Sequence, residues 1–341
     1  MGRPRISDLA RAAGVSTATV DRVLNRRTGV RAATVNRVLK AAAQLNYLPE
    51  PELAAVARPQ AMELAFLLPA GTNRYLRMLA DTIEYAQEHL ALFNVNCRCT
   101  IIDGFNPRGL AQSLLEHGRR ADGIAFMALE HPLVREAVTA LAERQVPVVT
   151  VVSDLSHSRR AAYVGLDNRA AGRTAALLLA RFMGRTRGKV ALIAGSRSYR
   201  AHEEREMGFH SLMDELYPEI EVAGLREGHD DAERNYRQTM QLLDRHPDLG
   251  GIYNIGGASD GVARALKESG RDQKVVFIGH GLSPDTRALL VDGTLDAVIT
   301  QSPQTIVLNT VQIFSNLRQG RDPLAGVEAL RLSIVLRENL P

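Results

Sequence analysis

The chain lacks the features that would mark it as secreted, membrane-spanning or catalytic. None of its 341 residues falls in an apolar run of eighteen, which excludes an ordinary transmembrane helix. The opening "MGRPRISDL" has no apolar signal core, so secretion is not expected and a cytoplasmic location is. Ile6 also stands where a myristoylation signal wants Ser or Thr. Cysteine occurs only at Cys97 and Cys99. Two apart in a strand, they share a face but sit too far apart for a disulfide, so two reduced thiols are expected. A lone C-x-C is a poor metal site. There is no P-loop, H-E-x-x-H, zinc spacing or G-x-S-x-G, and "NIGGASDG" (254–261) does not make the G-x-G-x-x-G form of a dinucleotide loop. No paired carboxylates or activated nucleophile stand out for chemistry on a sugar. The expectation is a protein that is not an enzyme, with no catalytic residues, no metal and no cofactor.

What is present is unevenly placed. Residues 1–60 hold ten Lys/Arg and four Asp/Glu, a net of +6, while the remainder holds 32 basic and 34 acidic residues. A basic module on a near-neutral body is the footprint of a polyanion binder, although a solvated basic face would look the same by charge alone. A chain of this length, with 45% hydrophobic residues, is expected to form two or three domains with well-filled cores.

The first sixty residues supply the pattern that charge alone does not. Ser7 before "DLARAA" reads as a helix cap with Asp8 in the first turn, and Leu9, Ala10 and Ala13 as the buried face. Gly14 ends that helix, Ser16 caps the next, and Val20, Val23 and Leu24 fall at helical spacing over 17–25. A third helix is expected over 31–45, burying Val35, Val38, Leu39, Ala42 and Leu45. Two short helices joined by a tight turn with Gly form a helix-turn-helix, whose second helix enters the major groove by its N-terminal end. Thr17 and Ala18 then face base edges, and Arg22, one turn on, can reach a guanine O6/N7 pair. Ser16, Thr19, Asn25, Arg26 and Arg31 suit phosphates, which fix register without reading sequence. The plain alternative for each arginine is a surface salt bridge.

The stretch "ISDLARAAGVSTATVDRVLN…GVRAATVNRVLKAAAQLNYLP" resembles, without a gap, the DNA-binding head of the LacI/GalR family of bacterial repressors. Asp21 departs from that pattern by replacing a serine; it is expected to turn to Arg22 or to a cytosine amino group. The proline-bracketed "PEPELAAVARP" (49–59) then corresponds to a hinge helix that orders on DNA. In that reading Leu53, Val56 and Ala57 face the minor groove, with Val56 as the wedge between base steps. An ordinary interdomain linker is the alternative, and Glu50 and Glu52 set negative charge near phosphates.

The rest of the chain alternates short apolar runs with helical patterns. The runs are 63–69, 95–102, 123–129, 147–154, 189–196, 221–228, 251–257 and 274–281, with helical stretches such as 74–92, 169–183 and 258–269 between them. Continuous apolar strands separated by helices imply parallel sheets covered on both faces. The turnover at "YVGLDNRAAG" (163–172) marks passage from one α/β lobe to a second. This body resembles the periplasmic-binding-protein-like effector domain of the same family and of sugar-binding transport proteins. The resemblance implies an effector site of Asn73, Tyr75, Ser153, Asp154, Tyr199, Arg205, Asn254, His280 and Gln301. It departs at "GHGLS", where the family often has an acid after "GH" and this chain has Gly281.

The expected architecture is therefore an all-α helix-turn-helix DNA-binding head over 1–48, a hinge or linker over 49–61, and an α/β two-lobed periplasmic-binding-protein-like domain with parallel sheets over 62–341. The expected function is transcriptional regulation. A homodimer would repress from a palindromic operator in double-stranded DNA and be released by a small sugar or polyol, with no membrane partner. The final "VLRENLP" carries no leucine heptads, so a dimer is expected rather than a tetramer. Two alternatives stand: a ligand that strengthens DNA binding as co-repressor, and a sugar-binding or sugar-modifying protein whose head is a non-specific DNA anchor.

Overall fold

A computed structural model describes residues 4–25, 27, 29–49, 52–53, 61–92, 94–184 and 188–341. The chain divides into two units, Met1–Met62 and Glu63–Pro341.

Among the described residues, the first unit holds helices α1 (Ile6–Ala13), α2 (Thr17–Leu24) and α3 (Ala32–Gln44). Leu9, Ala10, Ala13, Val20, Val23, Val38, Ala41 and Ala42 form its core. The small residues keep the helices close. Gly14 takes φ +64° and closes α1, with the Val15 N–H donating to the Ala10 carbonyl at 3.0 Å. That φ is cheap for glycine and costly for a residue with a Cβ. Ser16 caps α2 by accepting from the Thr19 N–H at 3.1 Å. The cap expected at Ser7 lies elsewhere. Arg5 is the N-cap of α1, and the Asp8 carboxylate reaches back to accept its N–H at 2.9 Å, which leaves Ser7 inside the helix.

The second unit contains two sheets. The first has strand order β2-β1-β3-β4-β5, built from β1 (Met62–Pro69), β2 (Val95–Ile102), β3 (Gly123–Phe126), β4 (Val148–Val151) and β5 (Ala162–Val164). The second has order β11-β10-β9-β8-β6-β7, from β6 (Gly188–Ala194), β7 (Ile220–Glu227), β8 (Leu249–Asn254), β9 (Val276–His280), β10 (Ala297–Thr300) and β11 (Ser333–Val335). Only β11 pairs antiparallel in the registers observed, against β10. Strands β3, β4 and β8 are buried along their whole length, as a sheet covered on both faces requires.

Helices α4 (Arg74–Leu92), α5 (Pro107–His117) and α6 (Pro132–Glu143) belong to the first lobe. Helices α7 (Asn168–Met183), α8 (Arg200–Leu216), α9 (Ala232–Arg245), α10 (Ser259–Glu268) and α11 (Pro284–Asp292) belong to the second, and α12 (Pro303–Arg318) returns to the first. Phe314 of α12 lies against Gly123 so closely that a Cβ there would come within 2.4 Å of the ring. The chain thus passes between lobes three times: at 165–167, at 301–302 and over 319–332. Helices α7 and α8 meet backbone to backbone. A Cβ on Gly172 would stand 2.0 Å from the Arg205 carbonyl oxygen, and one on Gly208 2.1 Å from that of Arg169.

Cys97 and Cys99 are free thiols on β2. Burial pushes both up to about 12, so neither is a thiolate at neutral pH.

Candidate functional site

Two surfaces collect the residues singled out above. On the head, α2 presents Thr17, Ala18 and Arg22 to solvent, while Val20 and Val23 hold its other side in the core. The side chain one turn inside the helix is thus free to reach outward, with a packed core behind it. Ser16 and Thr19 pair through their hydroxyls at 2.9 Å. Asp21 does not pair with Arg22. Its Oδ1 accepts from Asn25 Nδ2 at 2.7 Å and its Oδ2 lies 3.2 Å from Arg27 Nη1. The acid is therefore shielded by its own helix end, and Arg22 is left without it. Arg31 is exposed at the N-cap of α3. Leu53 packs against the head core. Arg26, Val56 and Ala57 lie outside the described residues.

The second surface is the cleft between the lobes of the body. Asn73, Tyr75, Arg205, His280 and Gln301 line one cavity there, with Val152, His202, Gly281 and Thr300 among the residues beside them. Leu76, Met127, Leu166 and Ile299 give it apolar walls. Its free space is about 40 Å³, room for about three waters at the ~10–15 Å³ each needs.

The lobes touch directly around this space. Asn73 Nδ2 donates to Asp230 Oδ2 at 3.0 Å, the Gly257 N–H donates to Asp230 Oδ1 at 2.7 Å, and the Thr72 hydroxyl donates to the Asp230 carbonyl. The Phe105 ring of the first lobe lies edge-on between Tyr199 and His229 of the second, at 5.3 and 5.1 Å. The Tyr75 hydroxyl donates to the Gln301 carbonyl at 3.2 Å. Gly281 answers to Tyr75 as well: its φ is +76°, and a Cβ would stand 2.9 Å from that of Tyr75. The acid that the family pattern favours has no room at that position.

Arg205 dominates the electrostatics. It is 6% exposed, and its hydrogen-bond acceptors are both neutral, Asn168 Oδ1 and the Ile255 carbonyl, each at 2.9 Å. Burial lowers its pKa, yet a guanidinium starts so high that it stays charged. Burial holds His202 down to about 4, with the Arg205 charge adding to it and Asp230 opposing. His280 is pushed well below its usual value by burial, then by Arg205 and His202. Both imidazoles are therefore neutral at pH 7. The Tyr253 hydroxyl sits 2.6 Å from His280 Nε2, and its ring stacks on Phe209.

The other four residues expected here have different partners. Ser153 is fully buried and its hydroxyl accepts from the Ala201 N–H at 3.3 Å. Asp154 accepts from the Thr150 hydroxyl at 2.6 Å and forms an ion pair with Arg160. Tyr199 is spent on Phe105 and His202. Asn254 Nδ2 donates to the Gly257 carbonyl and the Ser259 hydroxyl, at 2.9 and 3.0 Å. Conversely, Val152, His202 and Asp230 were not foreseen. His202 shares a buried helical face with Ala201, Arg205 and Phe209, so the spacing on α8 carried a signal. Among the described residues, no cluster of His, Cys, Asp and Glu could hold a metal ion, and no helix is long and apolar enough to cross a membrane.

Both parts of the chain resemble known proteins. Residues 5–50 match the model described as bacterial regulatory proteins, lacI family, and residues 108–322 match that of the periplasmic binding protein domain. Catabolite control protein A of Streptococcus mutans is 23% identical over 98% of this chain and 91% of its own length. The ribose import binding protein RbsB of Bacillus subtilis is 26% identical over 57% of this chain, and the match spans 62% of that protein. Among solved structures, GanP, a glucose-galactose binding protein from Geobacillus stearothermophilus, shares the fold of the body. Its TM-score is 0.74 at 24% identity, over 83% of this chain and 100% of that one. With a core-backed helix-turn-helix of the lacI type in residues 5–50 and a two-lobed body that belongs to the periplasmic binding protein domain family, the chain has the organisation of a DNA-binding transcriptional regulator.

Proposed function

We propose that the chain is a homodimeric repressor that reads a two-fold symmetric operator through α2 and releases it when a small sugar or polyol occupies the cleft. The observation that carries this reading is the union in one chain of an outward α2 face, Thr17, Ala18 and Arg22, with a cleft whose polar walls come from both lobes. Residues 1–48 act as the reading head, 49–61 as the connection, and 62–341 as the ligand-binding and dimerising body. Work on operator DNA puts it in the cytoplasm.

Arg22 reads a guanine, Thr17 and Ala18 let the helix sit deep in the groove, and Arg31 anchors a phosphate. Repression needs no further partner surface, because a dimer of 37.3 kDa chains on promoter DNA excludes other proteins by occupancy. The likeness of the body to ribose- and glucose-galactose-binding proteins supports the ligand class. Operator and effector then oppose each other by linkage, each weakening the other by the same factor.

Selection of genomic fragments by the purified protein at fixed salt, repeated with a panel of sugars, polyols and sugar acids, tests this. A symmetric site that one compound releases supports it. A site that a compound strengthens reverses the sign of control, and no specific site reduces the head to a salt-sensitive anchor. Within the selected site, Arg22→Ala should cost about 1–3 kcal/mol and relax preference at one base position. Unchanged preference in a repeat selection would remove Arg22 from base reading.

A further inference from the structure

The composition of the cleft narrows the class of its ligand, on the reading above that the cleft holds the effector. None of the residues lining the cavity is Asp or Glu. A neutral polyol presents many hydroxyl donors, and carboxylates are the strongest acceptors for them. Here the one permanent charge is the opposite: Arg205, buried, with neutral acceptors on two of its five N–H groups. The acid that acts on it, Asp230, is already engaged by Gly257 and Asn73. His202 and His280 stay neutral under the same charge and add no anion. An isolated buried cation is costly unless a counter-charge meets it. The apolar walls, Met127, Leu166 and Ile299, make such a meeting strong by excluding water.

One acceptor in the cavity has no partner. Gln301 Oε1 is buried and unbonded, which suits a ligand hydroxyl. We infer that the effector is a hydroxylated carboxylate of the sugar-acid class, with its carboxylate on Arg205 and a hydroxyl on Gln301. A single guanidinium matches a planar carboxylate bidentately, whereas a phosphate dianion would call for a second cation.

Val152 supplies the test. It lines the cavity with φ +64°, in a three-residue turn closed by the Ser153 N–H donating to the Val151 carbonyl at 2.6 Å. A β-branched residue is strained in such a turn. The turn is tied to the guanidinium. The Tyr163 hydroxyl lies 3.1 Å from the Val152 carbonyl and accepts from Asn168 Nδ2 at 3.0 Å, and Asn168 Oδ1 accepts from Arg205. Val152→Asp sets a carboxylate on the cavity wall, in a turn already strained by the valine it replaces.

Calorimetric titration of the full chain should use matched triplets: D-glucose, D-gluconate and D-glucose 6-phosphate, with D-galactose, D-galactonate and D-galactose 6-phosphate. At least one acid is expected to bind tenfold or more tightly than both its neutral and phosphorylated counterparts. Val152→Asp, checked for an intact thermal transition, should lose tenfold or more of that acid affinity, and Arg205→Met should lose it too. A neutral sugar or a phosphate as the tightest ligand, or acid binding unchanged in Val152→Asp, overturns the inference while leaving the cleft as an effector site. Binding by no member of either triplet also overturns the inference, while the effector reading stands or falls separately on the wider panel of sugars and polyols.

Discussion

Acidification from pH 7 to pH 5 is expected to remove on the order of 2 kcal/mol from the stability of the body through His202, with a further loss of the same sign through His280. Both imidazoles are buried and neutral in the folded chain, His202 with a pKa of about 4 and His280 well below its usual value. In the unfolded chain each titrates near the ordinary histidine value of about 6.5. Between those values the unfolded state binds protons that the folded state refuses. The folded state is therefore fully favoured above about pH 6.5; His202 costs up to about 1.4 kcal/mol per pH unit as pH falls toward 4, and His280 acts in the same direction. Carboxylates contribute mainly lower down, since their ordinary values lie near 4. Urea unfolding followed at pH 7, 6 and 5 would show the slope, and His202→Gln should reduce it. A stability that is flat from pH 7 to 5 would mean that the two rings find water or a counter-charge in solution. The loss is large against the ~5–15 kcal/mol that holds a domain together.

Gly172→Ala and Gly208→Ala carry the second large effect. Glycine-to-alanine changes inside helices ordinarily help, by about 0.4–1 kcal/mol through the unfolded state when the native site tolerates a Cβ. Here the new Cβ would lie 2.0 or 2.1 Å from a backbone carbonyl oxygen of the facing helix. No rotamer change relieves a clash with backbone, so α7 and α8 must separate. Overpacking of this kind costs about 1–3 kcal/mol and more where the neighbour is rigid, which outweighs the entropic gain. The Gly172 substitution also displaces the residue whose carbonyl it meets, Arg205, so ligand response should fall along with stability. Chemical denaturation checks the first part, and either variant matching the parent within about 0.5 kcal/mol would show that the helix pair is looser than its geometry implies.

Most of the architecture was legible because its signals were local. The head announced itself through periodic apolar residues, Ser16 and Gly14, and α2 and α3 differ from the expected spans by one residue at their ends. Eight strands stood out as apolar runs between helices. Strands β5, β10 and β11 did not, since "AYV", "AVIT" and "SIV" are too short to show a period, and β11 follows a long irregular stretch. The cleft was legible where polar residues stand at strand ends, as with Asn73, Tyr75, His280 and Gln301. It was hidden where position depends on folding at a distance. Asp154 sits where a ligand group was expected, but Arg160 folds back onto it. Asp230 reads as a turn residue before the cap Asp231, and only the closed cleft brings it to Asn73. Val152 is one valine in "PVVTVV", and nothing in that run reveals its positive φ.

The three passages of the chain between lobes have a further consequence. A protease that cuts one of them leaves the lobes joined by the other two, so nicking would uncouple the halves long before it parted them. Neither lobe is a continuous stretch of sequence, because the first lobe is finished by α12, which arrives after nearly the whole of the second. A gene fragment ending at residue 164 would therefore encode a sheet whose β3 glycine has lost the Phe314 ring that covers it. The smallest portion that can be transplanted, shuffled between genes or inherited as a working sensor is the whole of Glu63–Pro341.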